Sequence, residues 1–350
     1  MNIIYIIPFL VLIFILIVLS IFYILLLRKF EYIDFKKINK KPTNDKIDAV
    51  YTWVNGSDKE WLKKKNFYTG DDKLSDIRFN SELGNSELKV SIHSLYKFAP
   101  WINHIYIVVM RPQNPMLPKE LMRKVTIVYH DQIWENPEHL PVFNSHAIES
   151  QIHRIPNLSE KFIYLNDDIY FTNYVYPYHF FHNDKPVYRG FILPNKIIKN
   201  LIPKKFNNDF LLATYNVGNI YFKKNIFMFR FYHFSVPLLK SSMSISSKSK
   251  ELKNEWNKTS KSKLRSKYDI PPIHASVIWC LINKKGLIVK NYSDYWKGIY
   301  ICDNNGPFSG MCDYRIIPDS ITDTKPSEIC VNNPKVFNKF KNLMYNKILK

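Results

Sequence analysis

Glycine and cysteine are scarce in this chain, at 9 and 4 of its 350 residues. Four cysteines, at 280, 302, 312 and 330, are too few for a disulfide-stapled miniature and lack the paired spacing of a zinc site. There is no Gly-rich phosphate loop and no nucleophile elbow. Internal repeats and long low-complexity tracts are absent too. Acidic residues are in deficit, 30 against 50 Lys and Arg, which gives a formal net charge of +20. That excess suits nucleic acid, anionic lipid or a phosphorylated substrate. The Ser/Lys-rich stretch Ser241–Lys267 lacks interleaved aromatics and a reading helix, so nucleic-acid binding is not expected, and it reads as a solvated loop or helix face. Hydrophobic residues make up 46% and aromatics 15%, enough for a full core. The length admits one large or two ordinary domains.

Charge is also missing locally. From Ile3 to Leu27 only the phenols of Tyr5 and Tyr23 can ionise. This run exceeds the ~20 apolar residues of a membrane span, and no small-x-small cleavage site follows it. Residues 3–27 are therefore expected to form one transmembrane helix, and the chain a single-pass membrane protein. Arg28, Lys29, Lys36, Lys37, Lys40 and Lys41 all follow the span, which favours a cytoplasmic body. Glycosylation triplets at Asn55, Asn157, Asn257 and Asn291 favour an ER or Golgi lumen instead, so the sidedness stays open.

Residues 28–46 read as a basic tether, 47–335 as the body and 336–350 as a basic tail. In the body, Ile47–Val54, His104–Met110, Val125–His130 and Lys161–Leu165 are short apolar strands. Glu87–Phe98, His146–Ile155 and Ile273–Ile282 carry helical spacing. This alternation predicts an α/β sheet, with a nucleotide-binding half over 47–185 and a helical, acceptor-facing half over 186–335. Ligands of such sheets sit at the carboxyl ends of the strands.

Two polar clusters fall at predicted strand ends. Asp48 with Trp53-Val54-Asn55-Gly56-Ser57-Asp58 surrounds a turn that a ligand can approach closely, or is simply a tight turn. Asn166-Asp167-Asp168 places adjacent carboxylates after a strand, where a hard cation such as Mg²⁺, Mn²⁺ or Ca²⁺ would offset their repulsion and bridge a diphosphate. The alternative is an Asx turn with solvated acids. Among ten histidines, His130 ends a strand at the ligand edge, His153 lies beside Arg154 on a helix, and His233 sits in an aromatic setting.

Ile47–Asp58, IDAVYTWVNGSD, resembles the first conserved region of the Stealth family, whose members include bacterial capsule sugar-phosphate polymerases and an animal GlcNAc-1-phosphotransferase precursor. The stretch from Arg78 through VTIVYHDQIW to LPVFNSHAIESQIHRIPNLSEKFIYLNDDIYF, ending at Phe171, is similar to the second. HFSVPLLKSSM from His233, KLRSKYDI around Arg265, and Ile329–Asn333 are similar to the third and fourth. The resemblance implies a glycosyltransferase-A-like fold. It implies transfer of a GlcNAc-like sugar 1-phosphate from a nucleotide sugar resembling UDP-GlcNAc to a glycan or glycoprotein hydroxyl, releasing nucleoside monophosphate. Asp48, Trp53, Asn55, Gly56 and Asp58 would line the nucleotide end, and Arg78 and Glu87 match second-region positions. Asp167 and Asp168 would hold a divalent metal and the diphosphate, with His233 for proton transfer and Arg265 for phosphate charge. His130 and Asn166 complete the expected substrate-binding set. His93 stands where many members have Arg, Gln113 is what remains of a usual turn, and Asn333 stands where Asp is common. A catalytically silent glycan-binding protein on the same fold is the alternative.

Overall fold

The computed structural model describes residues 3–38, 40, 43–70, 81–194, 209–221, 227–231, 234–290, 298–302 and 328–332. The chain begins with α1 (Ile3–Leu27), whose last residue packs against the core. The expected transmembrane anchor, and with it the single-pass membrane placement, is corrected here. Among the described residues no helix is long and apolar enough to cross a membrane. The expected tether is not free either. Its β1 (Tyr32–Asp34) forms a strand, and Phe30 and Ile38 on either side are buried.

The central element is a five-stranded sheet. β2 (Ile47–Thr52) is followed by α2 (Lys59–Thr69), α3 (Ser81–Phe98), β3 (Ile105–Val109) and β4 (Val125–Tyr129). Then come α4 (His130–Ile133), α5 (Ser145–Glu149), β5 (Lys161–Asn166) and β6 (Ile169–Phe171). The strand order is β4–β3–β2–β5, all parallel, closed on the far edge by an antiparallel strand from the second half. β2 and β3 are buried along almost their whole length, as strands covered on both faces must be.

Alternation along the strands divides the core in two. Ala49, Tyr51, Ile105, Ile107, Ile163 and Leu165 face Leu88, Ile92 and Leu95 of α3. Val50, Tyr106, Val108, Phe162 and Tyr164 face the opposite layer. Much of that layer comes from the second half, Met243, Trp256, Ile273 and Ile278 among it. After β6 the chain runs through β7 (Phe181–His182), β8 (Lys185–Tyr188), β9 (Gly190–Pro194), α6 (Asp209–Tyr221), β10 (Phe227–Phe231) and β11 (Val236–Leu239), then α7 (Lys240–Lys248), α8 (Lys253–Lys261), α9 (Pro272–Ile282), β12 (Leu287–Lys290), β13 (Gly298–Cys302) and β14 (Glu328–Asn332). The half expected to be helical is thus mixed. β11 is the antiparallel edge strand, Val236 opposite Tyr164. β1 pairs with β12, and β14 pairs with β6, tying both ends of the described chain to the body.

Ser241–Lys267 is two helices rather than a solvated loop: Ser242, Met243, Ser246, Trp256 and Thr259 are buried. His146–Ile155 is not one helix, because α5 stops at Glu149 and a 3-10 turn over Ile152–Arg154 follows.

Candidate functional site

The four parallel strands end side by side at Thr52, Val109, Tyr129 and Asn166, and the loops that leave them form one edge. Thr52 is paired with Asn166, so the turn after β2 and the acidic turn after β5 are neighbours.

The acidic turn is charged beyond what sequence suggests. Asp167 and Asp168 are half-buried, and Glu87 on the second turn of α3 is buried. Burial, and then the charge of Asp168, push the Asp167 carboxyl up to about 7. Burial, and then Asp167 and Asp168, push Glu87 up to about 9. Like charges in a poorly solvated place hold protons that isolated acids release. Tyr51 and Ser91 brace the same spot. Their hydroxyls lie 2.7 Å apart, and Ser91 Oγ donates to the carbonyl of Ile169 at 2.5 Å. The Cys330 thiol of β14 is bonded to Asp168, and burial holds it well above its ordinary range. Glu328, two residues earlier, accepts from Arg189 Nη1 at 3.0 Å and from the Ser235 N–H at 2.7 Å. The fourth family region therefore reaches the acid pair through strand pairing. Its last residue, Asn333, lies outside the described residues.

The turn after β2 is held by Gln113. Gln113 Nε2 donates to the Asn55 carbonyl at 2.9 Å, and its Oε1 accepts from the Asn55 N–H at 3.0 Å. Asn55 Oδ1 in turn accepts from the Ser57 N–H at 3.0 Å, and Gly56 is buried in this turn. Asp58 is the N-cap of α2, Oδ1 accepting from the Trp61 N–H at 2.8 Å. Trp53 is buried, and its N–H donates to the Val108 carbonyl at 3.0 Å.

Asp48 does not belong to this edge. It is the second residue of β2, and its carboxylate accepts from Asn103 Nδ2 and from the Ser159 N–H, both at 2.7 Å. Those partners precede β3 and β5, so Asp48 staples the amino ends of three strands. The expectation that it lines the nucleotide end is corrected by strand direction: four residues at ~3.3 Å each separate it from Thr52.

A second polar group at the carboxyl edge escaped the sequence reading. Half-buried Glu149, the last residue of α5, accepts from Tyr164 Oη at 3.3 Å, and that hydroxyl lies 3.0 Å from Thr52 Oγ1. Burial pushes Glu149 up to about 7 against the opposing pull of Arg265. Arg265 Nη2 donates to Ser145 Oγ at 2.5 Å. Asp269 fixes this junction, accepting from Asn144 Nδ2 and from the Ser266 N–H, each at 2.8 Å. The helical spacing of HAIESQIHR drew attention to its isoleucines and passed over the acid between them.

His130 opens α4 and is buried, its ring nitrogens without hydrogen-bond partners among the described residues; burial pushes its pKa down to about 4. His153 is buried beside Trp256, and Arg154 pairs with Glu135 at 2.5 Å. Arg78 and His233 lie outside the described residues. Asp167, Asp168, Glu87, Asn55, Gly56, Asn166, Glu149 and Arg265 are thus gathered along one edge or against it. Among the described residues, no group of three or more His, Cys, Asp or Glu side chains is arranged to hold a metal ion.

The chain is 45% identical over 139 residues to an exopolysaccharide phosphotransferase of Streptomyces coelicolor, covering 39% of this chain and 25% of that protein. It is 39% identical over 139 residues to a capsular polysaccharide phosphotransferase of Actinobacillus suis, covering 39% and 37%. It is 36% identical over 185 residues to the capsular polysaccharide phosphotransferase WcwK of Streptococcus pneumoniae, covering 52% and 54%. The chain therefore spans about a quarter to a half of the length of these relatives. Among solved structures, mouse xyloside xylosyltransferase 1 matches with a TM-score of 0.39 at 9% identity, covering 82% of this chain and 98% of that one. The galactosyltransferase LgtC, solved with donor and acceptor sugar analogs, matches at 0.35 and 9%, covering 82% and 88%. At TM-scores this low the likenesses carry no weight in assigning the fold. Residues 45–73 match conserved region 1 of the Stealth proteins and residues 79–188 match conserved region 2.

Proposed function

We propose that the carboxyl edge of the sheet, on a glycosyltransferase-A-like body, binds a nucleotide sugar and transfers its sugar 1-phosphate to a hydroxyl of a polysaccharide. The bond broken joins the two phosphates of the donor, and nucleoside monophosphate leaves. One observation carries the reading: Asp167 and Asp168 lie next to the Asn55 turn, and burial, with the charge of Asp168, raises the Asp167 carboxyl to about 7. The similarity to capsular and exopolysaccharide phosphotransferases supports it.

The donor set fits a hard divalent cation. Its ligands are carboxylate oxygens whose mutual repulsion such an ion would relieve. Asp167 and Asp168 would hold it, with diphosphate and water completing the shell, and bound Mg²⁺ or Mn²⁺ would supply positive charge against the transferring oxygens. The chain's own residues do the rest. The clasped Asn55-Gly56 turn lets backbone approach the nucleotide. Arg265 faces charge developing on the phosphate. Two groups could take the proton of the acceptor hydroxyl: His233, three residues before β11 in sequence, and Glu149, whose carboxyl is tuned near neutrality.

The test incubates the full chain with UDP-GlcNAc and capsular or exopolysaccharide fragments, with and without Mg²⁺ or Mn²⁺. UMP release with a new phosphodiester by ³¹P NMR is expected. UDP release would make the protein an ordinary glycosyltransferase, and glycan binding without turnover would make it a silent scaffold.

A further inference from the structure

Beyond the ends of β3 and β4, next to the edge just described, lies an open cleft of about 710 Å³. Its wall is the outer face of α2, which presents Lys63, Lys64, Phe67 and Tyr68, and its far side carries Arg111 and Asp131. Phe67 is 82% exposed and Tyr68 38%. The two rings meet edge to face at 5.2 Å, and Lys263 lies over the Tyr68 ring at 5.7 Å. α2 itself carries four lysines, Lys59, Lys63, Lys64 and Lys65, against the single acid Glu60. Arg111 stacks on Tyr129 at 3.8 Å and pairs with Asp131 at 3.0 Å, so the acid on that side is already neutralised. The floor holds His130, buried and uncharged, with neither ring nitrogen hydrogen-bonded among the described residues.

The cleft thus combines an uncharged floor, an aromatic wall and a cationic rim. A nucleobase needs a narrow slot closed on both faces of one ring; this cleft is open and several times larger. Apolar faces interrupted by anions, spread over several units, match it better. A glycan joined through phosphodiesters is such a molecule, each sugar offering a C–H face to an aromatic ring and each linkage one negative charge. Two to three strand spacings of ~4.8 Å separate the cleft from the acidic turn, or roughly 10–14 Å, a few sugar units along a chain.

We propose that this cleft is a binding subsite for an anionic, phosphodiester-linked acceptor glycan, with sugar rings on Phe67 and Tyr68 and phosphates on Lys63 and Lys64. The inference rests on the transferase reading for the word acceptor, but the binding itself does not need turnover. The subsite grips the growing product away from the reacting hydroxyl, so longer chains are held better than short ones.

The experiment measures binding of a synthetic trimer of phosphodiester-linked hexoses to the full chain by calorimetry. A phosphate-free trimer of the same sugar and UMP serve as controls. The phosphodiester trimer is expected to bind, and the neutral one to bind about tenfold more weakly. The double variant Lys63→Ala, Lys64→Ala and the single variant Phe67→Ala should each lose about tenfold in trimer affinity. Both sets of side chains are on an exposed helix face, so folding is preserved, and release of UMP from UDP-GlcNAc into water should stay within about twofold of the parent. Trimer affinity unchanged by these variants, equal affinity for the neutral trimer, or no trimer binding overturns the proposal. So does displacement of the trimer by UMP together with weakened UMP binding in the variants, which would make the cleft a nucleotide site. Trimer binding without any UMP release would sink the transferase reading and leave the glycan cleft standing.

Discussion

Gln113 and Asn55 are joined by two hydrogen bonds that run in opposite directions. The side-chain amide of the first donates to the carbonyl of the second at 2.9 Å and accepts from its N–H at 3.0 Å. A buried amide thereby stands in for a neighbouring strand and fixes the turn that follows β2. The side chain and the turn lie 58 residues apart, and only the parallel pairing of β2 with β3 brings them together.

Breaking that pair should loosen the donor site more than the fold. Gln113→Ala leaves one buried N–H and one carbonyl without partners, at about 1–3 kcal/mol each if no water enters. The expected result is a raised KM for the nucleotide sugar with a modest fall in melting temperature. Gln113→Glu keeps the acceptor and loses the donor, and should fall between parent and Ala variant. Donor-saturation kinetics and thermal melts check both, and an unchanged KM in the Ala variant would remove Gln113 from the site.

The acidic turn makes stability depend on pH. Glu87 is raised from 4.5 to about 9 and Asp167 from 3.8 to about 7, so the folded chain retains protons that the unfolded chain has lost. These two groups make stability fall as pH rises, and the fall should show from about pH 7 to 9, above the range where the buried His130, His153 and His179, with lowered pKa values, act in the opposite direction. Glu87→Gln removes one of the repelling charges and should flatten the decline, raising the melting temperature at pH 8 by at least roughly 2 °C. Mg²⁺ or Mn²⁺ should raise the parent's melting temperature at pH 8, and should do so less in Asp168→Asn. A parent whose melting temperature climbs from pH 7 to pH 9 would contradict this picture of the turn.

Glu149 offers a kinetic signature. A carboxyl near 7 acting as a base must be deprotonated, so kcat should rise with pH through about 7. Glu149→Gln should lower kcat by about 10²–10⁴ and abolish that limb. His233→Ala, assayed alongside, separates the two candidates: only loss of the true proton acceptor removes the limb. A Glu149→Gln enzyme within about tenfold of the parent would reduce Glu149 to a partner of Arg265 and Tyr164.

Asp48 should behave as a structural residue despite its place in a conserved family region. Asp48→Ala strands the Asn103 amide and the Ser159 N–H, and should destabilise by about 1–3 kcal/mol. Among molecules that remain folded, the KM for the nucleotide sugar should be unchanged. A selective loss of donor affinity at 10 °C, where the variant is folded, would place Asp48 back among ligand-contacting groups.

Legibility followed the range of the physical signal. The strands over 105–109 and 161–166 were readable to within a residue or two because burial on both faces gives a near-continuous apolar run, and the edge strand over 125–129 because it is rich in β-branched residues. α2 went unread: its sequence, KEWLKKKNFYT, buries only Trp61 and Leu62, too little to stand out as a pattern. It is specified at its ends, by the Asp58 cap and by Gly70, whose φ of +66° closes the helix in the left-handed conformation. The Ser/Lys tract also misled, because serines at 242, 246 and 247 face the core and a hydropathy pattern counts them as polar.

The sequence by itself determined the parallel strands, the acid pair at a strand end and the family resemblance, since each is written in contiguous residues. Tertiary structure decided which residues share the site. The order of the strands set Asp48 at the far edge, and pairing of β14 with β6 brought Cys330 to Asp168. Packing of the second half onto the sheet placed Arg265 against Ser145 and Glu149. The reason is physical: side-chain periodicity is a local property, while the burial that raises Glu87, Asp167 and Glu149 exists only where distant segments exclude water together.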